Sequence, residues 1–167
     1  MNRGLVDSIS GMREVDDSFG KALKYAQKIL DYRDRSMREM QQKLTGKGFS
    51  KKVVDETLAY LEEKSLIDDL RLAELLKKDA VERRHFGARG VRSYLIRRGI
   101  AKDVADAMAE ADSDYIDAAM RLAEKRMRSM GHLDSVTIKR RLWGLLARRG
   151  FTSDEMHQVL ERLNVEL

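Results

Sequence analysis

Gly48, Gly99 and Gly150 lie 51 residues apart, and the same interval separates Leu44, Leu95 and Leu146 and, before those, Arg38, Arg89 and Arg140. A triplication at this period restricts the chain to a tandem of small units, each a supersecondary motif that hides its apolar side against neighbours. Adjacent columns agree in chemistry: Met40, Val91 and Leu142 are apolar, Lys47, Arg98 and Arg149 are basic, and Phe49, Ile100 and Phe151 are large and apolar. Within 167 residues, three units of roughly 50 residues would each have a marginal core. The units should therefore depend on one another, and function is expected on a face they share.

No segment sustains a period-two alternation, and no proline interrupts the 3.6-residue apolar pattern, so the fold class is all-α. Residues 1–17 are polar and aperiodic and read as a flexible tail. The first repeat, 18–67, opens on a helix capped by Ser18 and continues with helices started by Ser36 and Ser50. The second, 68–113, starts where the Asp68 carboxylate can accept free amides of a helix carrying Leu70, Leu72, Ala73, Leu75, Leu76 and Ala80, then adds helices over 88–98 and 101–111. The third, 114–167, repeats the plan over 114–130, 135–149 and 152–163. Nine short helices in three tandem three-helix repeats imply an elongated, curved solenoid.

Charge is segregated along the chain. From Arg83 to Lys102 there are seven basic residues and no acid, from Asp103 to Asp117 six acids and no base, and from Lys125 to Arg149 eight basic residues against Asp134 alone. Such blocks make local fields that steer a polyanion or a patterned protein partner. The absence of cysteine excludes disulfides, thiolate metal sites and thiol nucleophiles. With no run of 18 apolar residues and no apolar leader, neither a membrane span nor a signal peptide is expected.

On a helical wheel with Arg89 at zero, Tyr94, Val91 and Leu95 fall at about 140°, 200° and 240° and define the buried side. Arg89, Arg92, Ile96 and Arg97 fall on the other side, and in the third repeat so do Arg140, Trp143 and Arg148. Arginine beside an exposed tryptophan or isoleucine is the composition of a binding hot spot, and the guanidinium fork suits phosphate. Trp143 has a second reading, burial at a repeat interface. Lys47, Arg98 and Arg149 read as cations at helix C-termini, whereas Arg38, Arg89 and Arg140 are placed near helix starts, where the dipole disfavours them. Arg83, Arg84 and Arg141 extend the basic set.

Catalytic constellations are missing. His85, His132 and His157 share no metal-binding spacing, Asp68–Asp69 fits a helix cap better than a magnesium pair, and the repeated glycine follows a helix rather than the strand a phosphate loop requires. No cofactor or metal is expected.

Leu66-Ile-Asp-Asp-Leu-Arg-Leu-Ala73, Phe86-Gly-x-x-x-Val91 leading to Leu95-x-x-x-Gly99-Ile100, and Arg140-Arg-Leu-x-x-x-Leu-x-x-Arg-Gly-Phe151 are similar, in order and spacing, to motifs of the RecX regulators of the bacterial recombinase RecA. The chain resembles that family over residues 18–163, with Ile67 where leucine is usual and Leu72 where an aromatic is usual. The resemblance implies a cytoplasmic, non-enzymatic modulator of homologous recombination and the SOS response; a monomer is expected, although the sequence leaves the oligomeric state open. It would bind RecA protein, as monomer and as filament on DNA, lie in the filament groove and suppress recombination and coprotease activities. Some members also bind single- or double-stranded DNA. The residues alone leave a rival open, a sequence-nonspecific nucleic-acid binder acting without RecA.

Overall fold

The computed structural model describes residues 4–110 and 113–164, with the side chains of 18–110 and 114–164. Among the described residues there are nine helices and no strand: α1 (Gly4–Tyr32), α2 (Met37–Gly46), α3 (Lys51–Glu63), α4 (Asp69–Glu82), α5 (Ala88–Arg97), α6 (Lys102–Met108), α7 (Ser113–Met127), α8 (Ser135–Arg148) and α9 (Ser153–Arg162). Helix α1 corrects one expectation. It begins at Gly4, so 4–17 is helical where a tail was expected, and Ser18 lies inside the helix instead of capping it. Proline is absent from 4–17, and Leu5, Ile9, Met12 and Val15 carry the helical spacing of Phe19 and Leu23 upstream, so the helix extends to Gly4.

The repeated columns have a single local cause. At all three positions the glycine adopts a left-handed conformation, with φ of 95° at Gly48, 84° at Gly99 and 77° at Gly150. The glycine N–H donates to the carbonyl three residues back, at 2.9, 3.0 and 3.0 Å, and the N–H after it donates to the repeated leucine (Leu44, Leu95, Leu146) at 3.3, 3.1 and 3.2 Å. This paired closure is the Schellman motif, in which an apolar residue after the glycine folds back on the last turn. One motif therefore accounts for the leucine, basic, glycine and large apolar columns together, with Lys47, Arg98 and Arg149 at the C-caps.

Chain contacts divide the protein into two compact units, 1–72 and 73–167. In the first, α1 packs on α2 and α3, and α2 on α3. Its core joins Ala22 and Ala26 of α1, Met40 and Leu44 of α2 and Val53, Val54, Leu58 and Leu61 of α3 with Ile67. Each large side chain buried here contributes roughly 1.5–3 kcal/mol of transfer free energy. Ser36 and Ser50 cap α2 and α3 through the N–H of Glu39 (3.1 Å) and Val53 (3.4 Å). The Asp pair also serves the fold. Asp68 accepts from Arg71 N–H at 3.0 Å at the start of α4, and Asp69 reaches across to accept from Met37 N–H, the first residue of α2, at 2.9 Å.

In the second unit α7, α8 and α9 each touch the other two, and α5 packs on α6. Val91, Leu95, Ile100, Tyr115, Leu142, Leu146, Phe151 and Val159 are buried. On α4, Leu72, Ala73, Leu76 and Ala80 are buried as expected, but Leu70 and Leu75 are exposed. At 100° per residue Leu75 lies about 60° beyond the edge that Leu72 sets, whereas Leu70 falls between Ala73 and the buried Val81 but within one turn of the helix start.

Helix α5 has no side-chain cap. Its free amides are met instead by the end of α8: Gly87 N–H donates to the Arg149 carbonyl at 3.1 Å, and Arg89 and Gly90 N–H to the Gly150 carbonyl at 3.0 and 3.3 Å. The positive end of one helix thus rests on the negative end of another. The approach is so close that a methyl group on Gly150 would overlap the backbone of Gly90.

Candidate functional site

Of the cations assigned to the candidate binding face, Arg38 lies in the first unit and the others in the second. Arg38 and Arg89 are exposed at the second position of α2 and α5, whereas Arg140 is exposed one turn further into its helix, since α8 already starts at Ser135. The expectation that all three sit at helix starts therefore holds for two of them.

Two further expectations change. Arg92 is not a free cation on an open face, because its guanidinium is paired with the Asp106 carboxylate of α6. Trp143 is half-buried within its own repeat, edge-to-face on the His157 ring of α9 at 5.0 Å, rather than displayed beside the arginines. Its indole is large enough to bridge two helices that pack at this spacing. Ile96 is half-buried and Arg97 exposed on α5. Arg84 is held by Asp79 at 2.7 Å and lies 4.7 Å above the Tyr94 ring.

What the second unit does gather is a groove of about 930 Å³ between α7, α8 and the end of α4. Its charged lining is Arg83, Lys125, Arg126, Arg140, Arg141, Arg148 and Arg149, seven cations with no carboxylate. Leu122, Met130, Leu145 and Gly144 contribute to its apolar floor. Among the described residues Arg83 stands 3.9 Å from Asp79, and Lys125, Arg126, Arg140, Arg141 and Arg148 have no acidic partner within 4.0 Å. Arg149 bonds the Arg84 carbonyl and lies 5.9 Å from the Phe86 ring centre, which fixes the wall nearest α5. His85, also in the lining, has a left-handed backbone with φ of 51°. Burial, then Arg121, Arg149 and Lys125, hold its imidazole below the usual histidine range, with the Val81 carbonyl opposing them.

The structure thus unites Arg83, Arg140, Arg141 and Arg148 and separates them from Arg92 and Trp143. Lys125, Arg126 and His85 were not singled out as site residues. The basic run from Lys125 to Arg149 contained the signal, but α7 and α8 had to be folded against each other before its two ends could face one groove. Among the described residues no group of three or more His, Asp or Glu could hold a metal ion, and no helix is long and apolar enough to cross a membrane.

Known proteins with this architecture are closely matched. The family description "RecX, first three-helix domain" matches residues 22–61, and "RecX, third three-helix domain" matches 112–160. The regulatory protein RecX of Chlorobium limicola is 32% identical over 149 residues, covering 89% of this chain and 93% of that protein. The chain belongs to the RecX family. The RecX regulatory protein of Amycolatopsis mediterranei is 30% identical, covering 87% of this chain and 85% of its own length. The crystal structure of RecX from Lactobacillus salivarius superposes with a TM-score of 0.81 at 21% identity, over 90% of this chain and 99% of that one. A second RecX regulatory-protein structure gives 0.80 at 20% identity. The all-α repeat fold is therefore the RecX fold, and the three Schellman closures are how this member builds it.

Proposed function

We propose that this RecX-family chain is a non-enzymatic regulator of the RecA recombinase, binding RecA and its filaments on DNA and suppressing filament assembly, recombination and coprotease activity. The observation that carries the reading is family membership along nearly the whole length of relatives named as regulators. The surface supports it. A segregated charge pattern and a groove lined by seven cations and no carboxylate can engage a nucleoprotein filament, which offers both phosphates and patterned protein surface.

Light scattering and sedimentation of RecA on single-stranded DNA, with and without the protein, test the proposal. Shorter filaments and slower ATP turnover are expected, and unchanged length, assembly and turnover refute it. Arg89→Glu combined with Arg140→Glu should lose inhibition while keeping its circular dichroism, since both side chains are exposed. Loss of helicity would assign these arginines to the fold. A second reading, nucleic-acid binding independent of RecA, is favoured by one observation, the absence of any carboxylate in the groove lining.

A further inference from the structure

Helix α3 ends in the same closure as α2, α5 and α8, but with a different outcome. Ser65 holds the left-handed position with φ of 52°, its N–H donates to the Glu62 carbonyl at 2.8 Å, and the Leu66 N–H donates to the Leu61 carbonyl at 2.8 Å. A serine side chain makes that conformation costly, and residues held in this way gather at binding sites. The apolar residue that follows normally folds back on the last turn. Ile100 and Phe151 do so and are 2% exposed, whereas Leu66 is 53% exposed.

The entrance to α4 does not use Leu66 either. Ile67 and Leu72 occupy the two positions of a hydrophobic staple around the Asp68 cap, and both are buried. Leu66 and Leu70, two residues to either side of Asp68, are left over, Leu70 being 58% exposed. Charge frames the pair. From Glu62 to Arg71 there are four acids and two bases, and one of those bases, Lys64, is held by Glu63 at 2.9 Å. Burial first, and then Asp68, Glu62 and Glu39, lift the Asp69 carboxyl above the usual range against the pull of the Met37 N–H. Carboxylates crowded in this way are relieved by a facing cation.

The complement of this patch is on the page. The groove between α7 and α8 has cationic walls without a carboxylate, and Leu122, Met130 and Leu145 line its floor. A negative rim around displayed leucines matches positive walls around an apolar floor in both charge and polarity.

We infer that a second copy of this chain docks here: the patch of Leu66 and Leu70 on one copy seats in the α7–α8 groove of the next, its carboxylates meeting Arg140 and Arg141 and its leucines covering the floor. The two surfaces differ, so the contact is heterologous and propagates head to tail. Each occupied groove is withheld from other ligands. The contact requires neither RecA nor nucleic acid, so its failure leaves the proposed regulation standing.

Sedimentation velocity of the full, nuclease-treated chain tests it, at concentrations from about 5 to 200 μM and at about 50 and 500 mM salt, which shortens the reach of exposed charges several-fold. The weight-average sedimentation coefficient should rise with concentration at low salt, and the association constant should fall at least about tenfold at high salt. Leu66→Ser with Leu70→Ser should weaken association about tenfold or more, because anchors at the centre of a contact carry most of its strength. Glu62→Lys with Glu63→Lys, and separately Arg140→Glu with Arg141→Glu, should each give a monomer. Mixed in equal amounts the two variants should associate again, since each reversed surface then meets its opposite on the other. All four of these side chains are exposed, and circular dichroism checks that the variants fold. Where a reversal does not fold, glutamine at the same positions replaces it and should weaken association. A monomer at every concentration, unchanged association in the leucine variant, or a mixture that stays monomeric would each overturn the assignment.

Discussion

The three repeated glycines offer an internal comparison, because they share one conformation and differ in surroundings. An alanine at Gly48 must adopt the left-handed geometry, a cost of about 1–2 kcal/mol, offset by roughly 0.4–1 kcal/mol from the stiffer unfolded chain. Nothing lies within 4 Å of the added methyl there, so Gly48→Ala should cost only about 1 kcal/mol. At Gly150 the same conformational cost is joined by collision with the backbone of Gly90 and with the Arg89 carbonyl carbon at 3.0 Å. Backbone cannot swing aside as a side-chain tip can, so overpacking adds about 1–3 kcal/mol. Displacing the N–H groups of Arg89 and Gly90 from the Gly150 carbonyl adds about 1 kcal/mol more. The sum is about 3–5 kcal/mol, a urea-midpoint shift near 2 M at a slope of about 2 kcal/mol/M. Trp143, the only tryptophan, reports on the unit that contains Gly150, so its fluorescence follows Gly150→Ala, while far-ultraviolet circular dichroism follows Gly48→Ala. Equal costs at the two positions would refute the argument that α8 and α5 meet end to end through backbone.

Other outcomes follow from single contacts. Asp69→Ala should destabilise by about 1–3 kcal/mol by leaving the Met37 amide without its acceptor, whereas Asp69→Asn should be neutral or stabilising at pH 7 by urea unfolding. Burial lifts the Asp69 carboxyl above the usual range, so its charge opposes folding, and the amide keeps an acceptor without that charge. For His85, burial and then the facing Arg121 and Arg149 lower the pKa, so protonation opposes folding. Stability should therefore decline as pH falls below about 6.5, where the unfolded imidazole takes up a proton that the folded one resists. His85→Asn, which tolerates the left-handed backbone, should flatten that decline in melting curves between pH 7 and 5. Arg92→Gln breaks only a partly exposed ion pair and should cost less than about 1 kcal/mol, with no change in anion binding.

Periodicity alone was enough for the fold class, the three-helix repeat and the buried stripes of α2, α3 and α5, because apolar spacing and Schellman glycines act within one or two helical turns. Leu44, Gly48 and Phe49 need no distant partner to specify a helix end. The extent of α1 was legible but overlooked, since Leu5, Ile9, Met12 and Val15 run at helical spacing into Phe19 among the polar residues.

The candidate surface divides in the same way. That arginines would carry it was visible in the sequence, but which arginines remain free was decided by packing across distance: Asp106 neutralises Arg92, His157 turns Trp143 aside, and α7 brings Lys125 and Arg126 opposite Arg140 and Arg141. Local hydrogen bonding is written in consecutive residues, whereas the net field of a groove depends on which charges from separate helices end within a few ångströms of one another. Only the folded chain fixes those distances.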